Sequence, residues 1–198
     1  MKQTKRSARV QRKTKETDIT VEVLLDGQGK GDIATGVGFL DHMLDLLSRH
    51  SLVDMTVKAS GDRQVDDHHT VEDVGICLGQ AVRAALGDKR GIRRFGSASI
   101  PMDEALANVA LDLGGRFALV FHVTFSTEKV GGYDSQLTEE FLRAFAGNAG
   151  MNLHVNVPYG SNTHHVSEAI FKGLAKAMET ALSADSRSTD VPSTKGMI

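Results

Sequence analysis

Leu40-Asp41-His42-Met43-Leu44, His68-His69-Thr70-Val71-Glu72 and His164-His165-Val166-Ser167-Glu168 are the stretches on which the reading of this chain turns. The first runs on to Val57 and lies without gaps over Thr138-Glu139-Glu140-Phe141-Leu142 to Val155, at a constant offset of 98 residues. Acid falls on acid and apolar on apolar at several positions. The two His-His-x-x-Glu segments match at an offset of 96, the difference falling in the loop before each pair. Self-similarity of this kind marks one structural unit used twice. It predicts an α+β fold made of an internally duplicated unit, two pseudo-twofold related halves that are each a sheet packed with helices.

The elements around these stretches follow from periodicity. Ile19, Val21, Val23 and Leu25 alternate with polar neighbours from Asp18 to Asp26, a strand with one buried face, ended by the Asp26-Gly27 turn and partnered by the segment around Ala8 and Val10. Leu40, Met43, Leu44 and Leu47 have helical spacing within Phe39 to His50, and a second helix spans His68 to Leu86. Val53 to Ala59 is a short strand between them. The second part reads alike, with strands over Glu104 to Leu113 and Phe117 to Phe125, a helix over Gln136 to Ala146, a strand over Met151 to Val157 and a helix over Thr163 to Leu182. We place the first half-repeat at 1–95, the second at 96–182 and a tail at 183–198, together one compact domain. The tail is rich in Ser, Thr and Asp, the composition of a loose segment, but contains the compact Pro192-Ser193-Thr194-Lys195-Gly196.

On a helix, a His-His-x-x-Glu motif sets its acid three and four residues beyond the imidazoles, so all three project near the helix N-terminus. Adjacent histidines still diverge by about 100°, the rotation per residue, so one metal cannot readily use both rings of a pair, whereas two metals can take one each. An isolated His-His pair is more often a cap or a solvated turn. Duplication with the same Glu spacing, behind helices that carry His42 and Glu140 at matching positions, favours metal binding instead. A ligand field of nitrogen and oxygen without thiolate suits Mn, Fe or Zn. Arg94, Arg116, Lys172 and Lys195, on separate segments, form a set suited to a phosphate monoester.

Bulk composition confines the alternatives. The chain has 198 residues, 40% hydrophobic and 24% charged, enough for a real core and unlike disordered or disulfide-built chains. A net charge of -2 gives no ground for a nucleic-acid partner or an anionic membrane surface, and no run approaches the ~20 apolar residues of a membrane span. Cys77 is the single cysteine and sits among Val74, Ile76 and Leu78, the setting of a small buried hydrophobe. Met1 to Lys15 is basic without the apolar stretch of a secretory signal. A cytoplasmic protein is expected.

Phe39-Leu40-Asp41-His42-Met43-Leu44, Asp66-Asp67-His68-His69-Thr70-Val71-Glu72-Asp73, Leu111-Asp112-Leu113-Gly114-Gly115-Arg116 and Asn162-Thr163-His164-His165-Val166-Ser167-Glu168-Ala169 together resemble the imidazoleglycerol-phosphate dehydratases of histidine biosynthesis. The resemblance runs from about Ala8 to Gly196. It implies a metal-dependent hydro-lyase acting on imidazole glycerol phosphate, a homo-oligomer of about 24 subunits with active sites at subunit interfaces, and two Mn(II) per site. Carried over by motif, the metal ligands are His42, His68, His69, Glu72, Glu140, His164, His165 and Glu168, with Glu140 standing where many members carry His. Phosphate falls to Arg94, Arg116, Lys172, Ser193, Thr194 and Lys195, the tail closing on the substrate, and Glu16 is the N-terminal acid that faces it.

The implied reaction removes water from a glycerol phosphate joined to an imidazole ring. No carbonyl activates the side-chain hydrogen, so base catalysis alone has little to act on, and the ring itself must supply electrons as an imidazolate to expel the hydroxyl. A carboxylate then takes the neighbouring proton, and the enol formed tautomerises to imidazoleacetol phosphate. Glu168 is the leading proton shuttle, with Glu72 and Glu16 as the alternatives. Two readings from other classes use the same residues: a dinuclear metallohydrolase of a phosphorylated small molecule, and a non-catalytic metal-binding assembly protein.

Overall fold

The computed structural model of the chain describes residues 5–198; residues 1–4 of the basic N-terminal arm lie outside that range. Strands β1 (Ser7–Lys13), β2 (Thr17–Leu24), β3 (Gly31–Ala34) and β4 (Asp54–Gly61), with helices α1 (Gly38–Ser51) and α2 (His68–Leu86), make up the first set of elements. The second comprises β5 (Phe95–Met102), β6 (Ala105–Asp112), β7 (Ala118–His122), α3 (Leu137–Ala149), β10 (Asn152–Tyr159) and α4 (Thr163–Leu182), with the small ribbon β8 (Lys129–Val130) and β9 (Tyr133–Asp134) inserted before α3.

The duplication is explicit in the sheets. One has strand order β1-β2-β4-β3 and the other β5-β6-β10-β7. In both, the first three strands in that order are antiparallel neighbours and the last runs parallel to the third. β2 and β6 even share one burial sequence, buried positions alternating with half-buried or exposed ones, as expected for strands with a single face on the core. On the inner face of β2 lie Ile19, Val21 and Val23, all buried.

Helices cross between the halves. α2 lies on β1 and β2, and α4 on β5 and β6, yet α1 packs against α4 and α2 against α3. A single apolar core runs through both halves, with Leu40, Met43, Leu44, Phe141, Phe145 and Phe171 fully enclosed. Gly75 and Gly79 let the α2 and α3 backbones approach: a Cβ on Gly79 would lie 2.5 Å from the Phe145 carbonyl oxygen. This cross-pairing positions the site, because it brings the histidine helix of one half against a ligand-bearing helix of the other.

Two sequence expectations change. Phe95–Met102 is a full strand and Gly31–Ala34 a short one, neither of which the patterning signalled. The tail, loose by composition, is anchored: Ile92 bridges Ala184, Asp185 N–H donates to the Gly91 carbonyl at 2.8 Å, and Gly91 N–H donates to Asp190 at 3.0 Å.

Cys77 is enclosed, and burial above all pushes its thiol up to about 11. It should therefore resist a thiol-specific disulfide reagent at pH 8 in the native protein and react fully once guanidinium unfolds the chain. Prompt reaction in the folded state would show that α2 opens locally.

Candidate metal centre and anion cleft

Each His-His pair opens a helix because an Asx side chain two residues before it takes up a free backbone donor. Asn162 Oδ1 accepts from the N–H groups of His164 (2.9 Å) and His165 (3.4 Å), and Asp66 Oδ1 accepts from His68 N–H at 2.8 Å. Asp66 and Asn162 are themselves equivalent in the repeat.

At the contact of α1 with α4, His42, His164 and Glu168 converge, one ligand atom from each lying within 4.8 Å of the others. Both His42 Nε2 and His164 Nε2 stand 3.0 Å from Glu168 Oε1. Lys172, one helical turn beyond, donates from Nζ to Glu168 Oε2 at 2.6 Å. Burial opposes the charge on Glu168, but hydrogen bonds from Lys172, His42 and His164 outweigh it and bring the carboxyl down to about 2. Two imidazole nitrogens and an ionised carboxylate aimed at one point are a donor set that fits a divalent metal of the Mn or Zn kind.

The repeat equivalents of these three residues are Glu140 on α3 and His68 and Glu72 on α2. They do not form a comparable group: among the described residues, His42, His164 and Glu168 are the one set that could close on an ion. His69 and His165 turn elsewhere, as the rotation between neighbours demands. His69 Nδ1 donates to Asp62, 3.0 Å from Oδ2, and His165 Nδ1 donates to Glu104 Oε2 at 2.7 Å. The His165 hydrogen bond, followed by the Asn162 backbone N–H, draws Glu104 down to about 2. Glu16 is exposed in the β1–β2 turn, its charge acting on His69.

The anion-type residues divide. Arg94, Arg116, Ser193, Thr194 and Lys195 line one cleft of about 710 Å³, with Met197 and Ile198 of the tail. Arg94 holds the tail there: Nε and Nη2 donate to Asp112 at 2.6 and 2.9 Å, and Nη1 donates to the Pro192 carbonyl at 2.8 Å. Lys172 lines no part of that cleft and sits with Glu168. His50 is half-buried near Lys172 and Lys176, and burial followed by those charges lowers its pKa. Sequence reasoning also missed Asp62 and Glu104, for which the only signal was an acid at the end of a strand or in a hairpin turn.

Fold and site together define a duplicated α+β protein with a candidate histidine-carboxylate metal site and a separate cationic cleft. A profile of Imidazoleglycerol-phosphate dehydratase matches residues 35–178. The chain is 55% identical over 194 residues to the Imidazoleglycerol-phosphate dehydratase of Methylorubrum populi, covering 98% of this chain and 100% of that protein. It is 57% identical over 194 residues to that of Granulibacter bethesdensis, covering 98% of this chain and 99% of the relative. Among solved structures, the dehydratase from Staphylococcus aureus superposes with a TM-score of 0.82 at 42% identity, over 90% of this chain and 99% of the other. That from Pyrococcus furiosus gives 0.83 at 36% identity, over 96% and 100%. The chain belongs to the imidazoleglycerol-phosphate dehydratase family. No helix among the described residues is long and apolar enough to cross a membrane.

Proposed function

We propose that this protein is a hydro-lyase that converts imidazole glycerol phosphate to imidazoleacetol phosphate in histidine biosynthesis. The observation that carries the reading is the convergence of His42, His164 and Glu168 in a chain that matches dehydratases over nearly its whole length. Two Mn(II) per site, held by His42, His68, His69, Glu72, Glu140, His164, His165 and Glu168, would supply the positive charge that lets the substrate's ring lose its proton. Glu168 moves the side-chain proton, being ionised and held at a fixed angle by Lys172. Arg116, Ser193, Thr194 and Lys195 bind the phosphate, with Arg94 securing the tail around it. Glu16 faces the substrate from the β1–β2 turn.

The functional unit is a homo-oligomer, of about 24 subunits, with sites shared between neighbours. What supports sharing is that one chain gathers three of the eight ligands, while His69 and His165 turn away from that group and the phosphate cleft is separate from Lys172. A neighbouring copy is needed to complete both parts.

The test is a turnover assay with protein reconstituted with Mn(II) or treated with a chelator, with imidazoleacetol phosphate and free phosphate measured separately. Metal-dependent ketone without phosphate is expected. Phosphate release would replace this reading with a metallohydrolase, and neither product from a metal-loaded assembly would leave a non-catalytic metal-binding protein.

A further inference from the structure

His69 and His165 each engage a carboxylate through Nδ1, and those carboxylates do not come from equivalent places in the two halves. β2 and β6 superimpose at an offset of 88 residues, Thr17 on Ala105, which makes Glu104 the counterpart of Glu16, each being the last residue of its hairpin turn. In the second half the turn glutamate is consumed: Glu104 Oε2 accepts from His165 Nδ1, while Oε1 accepts from the N–H groups of Asn162 (2.7 Å) and Ser161 (3.1 Å) and from Ser161 Oγ (3.3 Å). In the first half Asp62, at the end of β4, takes over the histidine, with Oδ2 at 3.0 Å and Oδ1 at 3.2 Å from His69 Nδ1. Glu16 is thereby left exposed and without that duty.

We propose that Glu104 and Asp62 are positioning residues that lock His165 and His69 in the tautomer with Nδ1–H and a bare Nε2, the nitrogen each ring presents to a metal, and that the switch from turn glutamate to Asp62 frees Glu16 for the substrate. An ionised carboxylate only accepts, so a hydrogen bond at Nδ1 places the ring proton there. Nε2 is then a lone-pair donor with its direction fixed, the arrangement by which a carboxylate raises the basicity of a ligating histidine. His165 Nε2 has one acid in range, Asp103 Oδ2 at 3.7 Å, beyond hydrogen-bonding distance. The proposal rests on the reading of His69 and His165 as metal ligands.

Glu104→Gln isolates the effect. Its amide oxygen can still accept from Asn162 and Ser161, keeping the loop before α4, but its NH2 then faces His165 Nδ1 and forces the proton to Nε2, where it blocks ligation. The turned-over amide offers two donors to the backbone N–H groups and loses the loop instead. Binding of Mn(II) alone, followed by the EPR signal of free Mn(II) on chelated and refilled protein, is the readout, with the melting temperature of the chelated form as control. We expect Glu104→Gln to weaken part of the Mn(II) binding by ten- to a hundredfold with an unchanged melting temperature, and Asp62→Ala to do the same for the remainder. Wild-type affinity in both variants would overturn the proposal. So would an affinity loss accompanied by a fallen melting temperature in Glu104→Gln and by no loss in Asp62→Ala, because that pattern assigns Glu104 to the loop. Wild-type protein that takes up no Mn(II) would overturn the metal reading itself, a result distinguishable from both.

Discussion

Glu168→Gln is expected to lower kcat by about a thousandfold, about 4 kcal/mol of barrier, while Mn(II) content and assembly stay at wild-type levels. The amide keeps one oxygen in the place of Oε1, toward which His42 Nε2 and His164 Nε2 point from 3.0 Å, so a ligand position survives. It cannot accept a proton from carbon at neutral pH, and its NH2 group meets the Lys172 ammonium donor to donor where Oε2 had accepted at 2.6 Å. His164→Ala is the comparison. It removes one of the converging nitrogens and should lose metal together with turnover. Metal content by elemental analysis and a single-turnover rate for each variant separate the two roles. Loss of metal in Glu168→Gln would make Glu168 a ligand first and pass the proton to Glu72 or Glu16; full activity would refute its part in the chemistry.

Much of this site was legible because its residues are chemically distinctive and locally spaced. The two His-His-x-x-Glu segments each begin in the first turn of a long apolar-striped helix, and their repetition is visible without any tertiary information. What periodicity does not contain is which helices pair. His42 meets His164 because α1 crosses to α4 of the other half, and nothing in the spacing of Leu40, Met43 and Leu44 states that. The tail illustrates the same limit. Its composition is that of a loose segment, yet Arg94, whose backbone takes a positive φ of 71°, reaches between Asp112 and Pro192 and fastens it. Strand β5 was missed for a different reason. Phe95-Gly96-Ser97-Ala98-Ser99 presents Gly and Ala to the core side, and such small residues give a weak alternating pattern.

Those small residues are a packing requirement, and Gly96 carries the largest expected effect on stability. A Cβ at this position would lie 1.9 Å from the Ala177 carbonyl oxygen, 2.8 Å from its carbonyl carbon and 3.1 Å from Ala181 N. All three are backbone atoms of α4, which no rotamer change can move, so Gly96→Ala is accommodated only if α4 lifts from the sheet. Overpacking that displaces backbone costs about 3 kcal/mol, which in a chain of this size lowers the melting temperature by about 6 to 12 °C. Gly132→Ala is the control, since no atom lies within 4 Å of a Cβ there and its melting temperature should not move. The helix that must lift also carries His164, His165, Glu168 and Lys172, so Mn(II) affinity should fall in Gly96→Ala even below its lowered melting transition. Calorimetry and Mn(II) titration on the two variants check both parts. A Gly96→Ala protein with the wild-type melting temperature and metal affinity would mean that the spacing of β5 and α4 is not what holds α4 in place.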